Sequence, residues 1–193
     1  MTGEGKLNLC PFDDCNAWIL TREGNPVCLT APDLSSISID EVANALACLA
    51  RYSGNTSDTI PYSVAQHCVL VSQHAPPEHA FAALMHDAHE ALIGDWTSPV
   101  KRALVKLGAE QALAELDRRA AAAVAKRWGV AFPLSEAVKW EDRRAIATER
   151  RDVFPETGPR FGVGVEPWPE KIIPWPTRSA AGYFLMRFEQ VRP

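Results

Sequence analysis

The chain has 193 residues, is 47% hydrophobic and 23% charged, and carries a formal net charge of −4. That length suffices for one domain with a proper core. The charge excludes a phosphate-tracking surface: no Lys/Arg run exceeds two residues, so a nucleic-acid polymer is not the expected partner, whereas a small phosphorylated ligand needs only a few cations. No stretch approaches the roughly 20 apolar residues of a membrane span. Met1 to Asp14 show no charged-then-apolar signal pattern, and together these features predict a cytoplasmic protein without a membrane partner.

Residues 1–16 have no period and read as an irregular segment; residues 17–193 read as a single domain. Trp18 to Leu29 form a predicted β-hairpin turning at Glu-Gly-Asn. Ser38 followed by Glu41 makes a capping box, and Val42, Leu46 and Leu49 continue at helical spacing to an end near Tyr52. Ser63 followed by Gln66 makes a second box, opening a helix with Val64, His67, Cys68 and Val71 on one face. Pro76-Pro77 begins a third helix that runs through Leu84, Met85 and Leu92 to Gly94. Ser98-Pro99 starts a fourth.

An Ala-rich helix follows from about Ala109 to Trp128, ending at Gly129. Ser135 caps the next, which carries Val138, Asp142, Ile146 and Glu149. Residues 153–176 contain Pro-Trp-Pro twice and predict an ordered surface loop with pinned tryptophans. Thr177 opens a last helix through Tyr183, Phe184 and Phe188, which could serve an interface or close the core. The predicted class is mainly α, a helical bundle with a small N-terminal hairpin.

The five cysteines are odd in number. Cys48 and Cys68 sit on apolar helical stretches, where a thiol behaves as a small hydrophobe. Cys10, Cys15 and Cys28 match a zinc site only weakly in their spacing.

The chemistry concentrates in residues 84 to 95, Leu-Met-His-Asp-Ala-His-Glu-Ala-Leu-Ile-Gly-Asp. Buried charge is unfavourable unless paired or bound to metal, so His86, Asp87, Glu90 and Asp95 in one apolar run suggest a divalent ion with carboxylates to spare. His67 alone reads as an ordinary core histidine; beside His86-Asp87 it becomes a third ligand candidate. Asp142 is the fourth, with a salt bridge to Arg143, Arg144 or Arg150 as the alternative. His74 and His79, flanking Pro76-Pro77, read as surface residues.

The order His67, His86-Asp87, Asp142 resembles the signature of the HD-domain metal-dependent phosphohydrolases. The segments Tyr-Ser-Val-Ala-Gln-His (62–67), His-Asp-Ala-x-Glu-Ala (86–91), Gly-Asp-x-x-Ser-Pro-x-Lys (94–101) and Ala-Thr-Glu-Arg-Arg-Asp (147–152) resemble its 5′-deoxynucleotidase branch, including phage deoxynucleoside triphosphohydrolases. The resemblance covers roughly residues 17 to 190. It implies an HD helical bundle and one divalent transition metal (Co, Mn or Zn) on His67, His86, Asp87 and Asp142, with additional Mg for a triphosphate substrate. Glu90 takes the place of the carboxylate that orients or deprotonates water, and Asp95 that of a second acid/base group. Arg51 takes the phosphate-binding position, Tyr52 stands where the family has Trp and would stack on base or sugar, and Lys101 would reach a phosphate. Gly54 would leave room for a purine 2-amino group.

The implied partner is a small deoxynucleotide, and relatives are commonly homo-oligomers. The motif does not separate a monophosphatase from a triphosphohydrolase. The alternatives are a nucleotide-binding or sensing module on the same fold, a hydrolase of another small phosphoester, and a second ion held partly by His89.

Overall fold

The structure, a computed structural model, describes residues 16–157 and 164–193. It is mainly helical with one two-stranded antiparallel hairpin, as the periodicity predicts. Strands β1 (Trp18–Leu20) and β2 (Pro26–Cys28) pair Ile19 with Val27. Of the predicted irregular segment, residues 1–15 lie outside the described residues, and so do Cys10 and Cys15 of the zinc reading. Cys28 is buried in the hairpin, with its Sγ 3.2 Å from the Thr30 hydroxyl.

Helix α1 (Ile39–Cys48) starts with the full capping box: Glu41 N–H donates to Ser38 Oγ, and the Glu41 carboxylate accepts from Ser38 N–H. It ends four residues before the predicted Tyr52. Leu49 and Ala50 turn extended because the start of α2 (Val64–His74) claims them: Val64 N–H donates to Leu49 O and Ala50 bridges Ser63. Tertiary pairing overrides local helix preference here. Arg51 N–H also donates to Tyr62 O at 2.9 Å, so both ends of the 50–63 connection are pinned beside the first turn of α2.

Only half of the second capping box forms. Ser63 Oγ accepts from Gln66 N–H, but the Gln66 amide bonds Ile173 O and Trp175 N–H at 2.8 Å each. Pro-rich residues 168–176 are therefore strapped to α2. The same strap is tied to α7 (Glu136–Asp152), where Trp168 Nε1 donates to Glu141 and Trp168 N–H donates to Thr148 Oγ1. His74, expected on the surface, stacks on the Trp168 ring at 4.0 Å. Proline-flanked backbone offers few donors to a regular ladder, so side chains of α2 and α7 hold this segment instead.

The predicted continuous third helix is interrupted. A 3₁₀ turn at Pro77–His79 leads into α3 (Ala80–Met85), and α4 (Glu90–Ile93) follows after a tight turn. In between, bonds run three residues back, as from Glu90 N–H to Asp87 O at 2.9 Å. The cause is local: the His86 Nδ1–H bonds Ala83 O at 2.7 Å, and a side chain inserted into the backbone ladder kinks a helix. Gly94, at φ +83°, ends α4 in a conformation that favours glycine.

Helices α5 (Ser98–Lys106) and α6 (Glu110–Trp128) follow, the second ending at Gly129 as expected. Ser135 caps α7 through Val138 N–H. The last helix, α8 (Thr177–Val191), buries Ala180, Ala181, Phe184 and Phe188 against Val42, Leu46, Val69 and Leu84, so this face closes the core of the chain itself. Among the described residues, no helix is long and apolar enough to cross a membrane.

Candidate metal centre

Helix α2 delivers His67, with no exposed surface, to the junction of α7 and the α3–α4 turn. His86 and Asp87 come from that turn and Asp142 from α7. The His67 and His86 Nε2 atoms are 3.2 Å apart. Asp142 Oδ1 lies 3.2 Å from His67 Nε2 and 3.9 Å from His86 Nε2. Asp87 Oδ2 lies 3.2 Å from His86 Nε2 and 3.6 Å from His67 Nε2. These are the separations expected between ligands that each reach one ion at about 2.0–2.2 Å.

The donor chemistry fits an ion. His86 Nδ1 faces Ala83 O, an acceptor, and must carry a proton. His67 Nδ1 faces Glu149 Oε1 at 2.7 Å and donates to that carboxylate. With each Nδ1–H on its own acceptor, both rings turn Nε2 toward the same point, and the hydrogen bond behind each ring fixes its orientation. His67, His86 and Asp142 form one group that could hold a metal ion, and Cys68, His86 and Asp87 form an overlapping one. Cys68, expected to act only as a hydrophobe, lines the back of the site. Burial pushes its thiol up, which opposes formation of a thiolate ligand.

No family model matches the chain. It is 36% identical over 159 residues to the uncharacterized protein YfdR of Escherichia coli (strain K12), covering 80% of this chain and 84% of YfdR. The chain belongs to the YfdR family. The uncharacterized protein RCAP_rcc00048 of Rhodobacter capsulatus is 34% identical over 148 residues, 71% of this chain and 73% of that protein.

In this YfdR-family chain the remaining carboxylates surround the cluster. Glu90 is buried, with Oε2 making no hydrogen bond. Burial, then repulsion from Asp87 and Asp95, pushes its carboxyl up to about 9. Asp95 is also raised, first by burial, while Arg51 opposes the shift. Asp142 does not take an arginine partner from its own helix: Arg143 and Arg144 turn toward Glu136 and Glu141. It sits at the margin of the buried stripe of α7, which runs through Val138, Glu141, Ala145, Thr148 and Glu149.

Arg51 and Tyr52 approach the cluster but are engaged within the protein. Arg51 Nε and Nη2 donate to Glu149 Oε2 at 3.3 and 3.2 Å, and Nη1 lies 3.7 Å from Asp87 Oδ2. The Tyr52 hydroxyl donates to Glu149, and its ring meets Phe154 edge-on at 4.8 Å. Tyr52, Ser53 and Gly54 have φ of 57°, 55° and 75°, a left-handed run that only the glycine accepts without strain. Gly54 thus has a backbone reason for its identity, separate from room for a base. Lys101 is half-buried, and its charge reaches Asp95 and Asp117.

Two participants escape sequence reasoning. Glu149 falls in the Ala-Thr-Glu-Arg-Arg-Asp segment but carries no ligand spacing of its own. Asp117 lies on the polar side of an Ala-rich helix, yet its Oδ1 sits 3.3 Å from His89 Nε2. His89 is buried, so the signal was a titratable residue one position before Glu90.

Proposed function

We propose that the chain is an HD-type, metal-dependent phosphohydrolase of deoxynucleotides, acting at the phosphorus next to the 5′ oxygen. The observation that carries this reading is two imidazole Nε2 atoms 3.2 Å apart, each with an oxygen of Asp87 and of Asp142 at 3.2–3.9 Å, and a further buried carboxylate, Glu90, on the same turn as His86 and Asp87. His67, His86, Asp87 and Asp142 would hold one divalent transition metal. Such an ion supplies Lewis-acid activation of water and of a phosphoryl oxygen.

The chain's own groups then divide the remaining tasks. Glu90 Oε2 makes no hydrogen bond with the protein; with a cation offsetting the Asp87 charge that raises its pKa, Glu90 would ionise and could take a proton from the attacking water. Asp95, the more exposed of the two carboxylates, would pass a proton to the leaving 5′ oxygen. Arg51 keeps Nη1 on the Asp87 side, 3.7 Å from Oδ2, where it would neutralise phosphate charge. Lys101, whose charge reaches Asp95, would add a second cation.

The test is product analysis by chromatography after incubating Co²⁺- or Mn²⁺-loaded protein with dNMPs and dNTPs. Nucleoside plus phosphate from dNMPs identifies a 5′-deoxynucleotidase; nucleoside plus triphosphate from dNTPs identifies a triphosphohydrolase. No turnover by fully loaded protein on either panel contradicts the reading.

A further inference from the structure

Glu149 has no exposed surface, and its two carboxylate oxygens serve different partners. Oε1 accepts from His67 Nδ1 at 2.7 Å. Oε2 accepts from Arg51 Nε and Nη2 at 3.3 and 3.2 Å, and from the Tyr52 hydroxyl. One rigid side chain therefore links a metal-ligand imidazole to the guanidinium that faces phosphate. A buried carboxylate is tolerated only when fully paired. His67, Arg51 and the Tyr52 hydroxyl supply that pairing.

The linkage has geometric consequences. With Nε and Nη2 clamped by Glu149, the third guanidinium nitrogen is left on the Asp87 side, 3.7 Å from Oδ2. The clamp also holds Tyr52 in its left-handed backbone, a conformation that persists only where its surroundings over-determine it. His67 can offer Nε2 to a metal only while Nδ1 keeps its proton, and Glu149 is the acceptor that keeps it there.

We propose that Glu149 is a positioning residue that sets His67 and Arg51 together, so that binding of the divalent ion and binding of a phosphate anion strengthen one another. The inference rests on the metal-centre reading above and extends it to a residue that touches neither ligand. Coupling of this kind is reciprocal.

The experiment is calorimetric titration of the full chain with Co²⁺, with and without saturating inorganic phosphate, alongside the visible spectrum of bound Co²⁺. In the unaltered protein, phosphate is expected to tighten Co²⁺ binding by about tenfold. Glu149→Gln is expected to weaken Co²⁺ by about 10- to 100-fold, as loss of a partner behind a ligating histidine does. It should also reduce the phosphate effect to under about twofold, and Glu149→Asp should restore part of it. Arg51→Lys provides a second reading if Glu149→Gln does not fold: it should keep Co²⁺ binding and lose most of the coupling.

A purely structural role for Glu149 would lower the melting temperature yet leave the phosphate effect intact, and that result overturns the proposal. So does phosphate-independent Co²⁺ affinity in the unaltered chain. If the unaltered chain binds no Co²⁺ at all, the metal-centre reading falls and the coupling with it.

Discussion

The two sides of helix α2 are held by opposite means. Toward α1 and α8, Val64, Ala65 and Val69 meet Val42, Leu46 and Phe184, an apolar packing with no charge to satisfy. Toward α7 and the Arg51 turn, His67 meets Glu149, Asp142 and Asp87 in a buried polar network. The first side is stabilised by area removed from water, which is non-directional and tolerates repacking. The second depends on each donor having its acceptor, and removing one member leaves its partner buried and unpaired. The apolar side therefore tolerates repacking, whereas the polar side, on the function proposed above, would decide what the fold can bind.

Substitutions sharpen this contrast, beginning with the largest expected effect. Asp87→Ala should abolish both bound metal and turnover, whereas Glu90→Ala should keep the metal and lose rate by about two decades or more, as for a positioned general base. Metal analysis beside single-turnover kinetics separates the two; full turnover by Glu90→Ala would remove Glu90 from the mechanism.

Leu46→Ala, on the apolar side, should destabilise by about 2–5 kcal/mol through lost burial and a residual cavity. Denaturant titration measures the loss, and metal stoichiometry in the folded fraction should be unchanged. A Leu46→Ala protein that folds normally but loses the ion would erase the distinction between the sides.

Glu90→Gln should do the reverse of an ordinary core lesion. Its carboxyl is raised to about 9 in the fold, whereas in the unfolded chain it ionises near the ordinary value of about 4.3. Its contribution to stability is therefore full below the unfolded pKa and is lost as pH rises toward 9. Replacing it with a neutral isostere should stabilise metal-free protein at pH 7–8 by about 1–2 kcal/mol while slowing the reaction, a stability–activity trade-off. The gain should shrink at pH 4. Thermal melts of both proteins across pH check the sign; a destabilised Glu90→Gln at pH 8 would mean that the carboxylate is charged and well solvated.

The smallest effect belongs to the cap of α1. Ser38→Ala removes the side-chain acceptor for Glu41 N–H and should lower stability by about 1 kcal/mol without touching metal affinity. Melting with and without Co²⁺ would show equal shifts.

Legibility in the sequence follows the same division. Helix starts were readable because Ser38, Ser63 and Ser135 act within three residues of themselves. The His67, His86, Asp87 and Asp142 set was readable because each residue is costly to bury and the order resembles a known pattern. The early end of α1 was not, since Leu49 and Ala50 answer to residues more than ten positions away. The break after Met85 was hidden because His86 bonds its own backbone neighbour, an event with no periodic trace. Glu149 was hidden because its partners come from residues 51, 52 and 67, which only the fold assembles.

The most direct test of the metal centre is its stoichiometry. Equilibrium dialysis of the full chain against Co²⁺ should give one ion per chain, and His86→Ala, still folded by circular dichroism, should bind none. No bound ion in the unaltered chain, or an undiminished one in His86→Ala, would contradict the assignment of this cluster as the metal site.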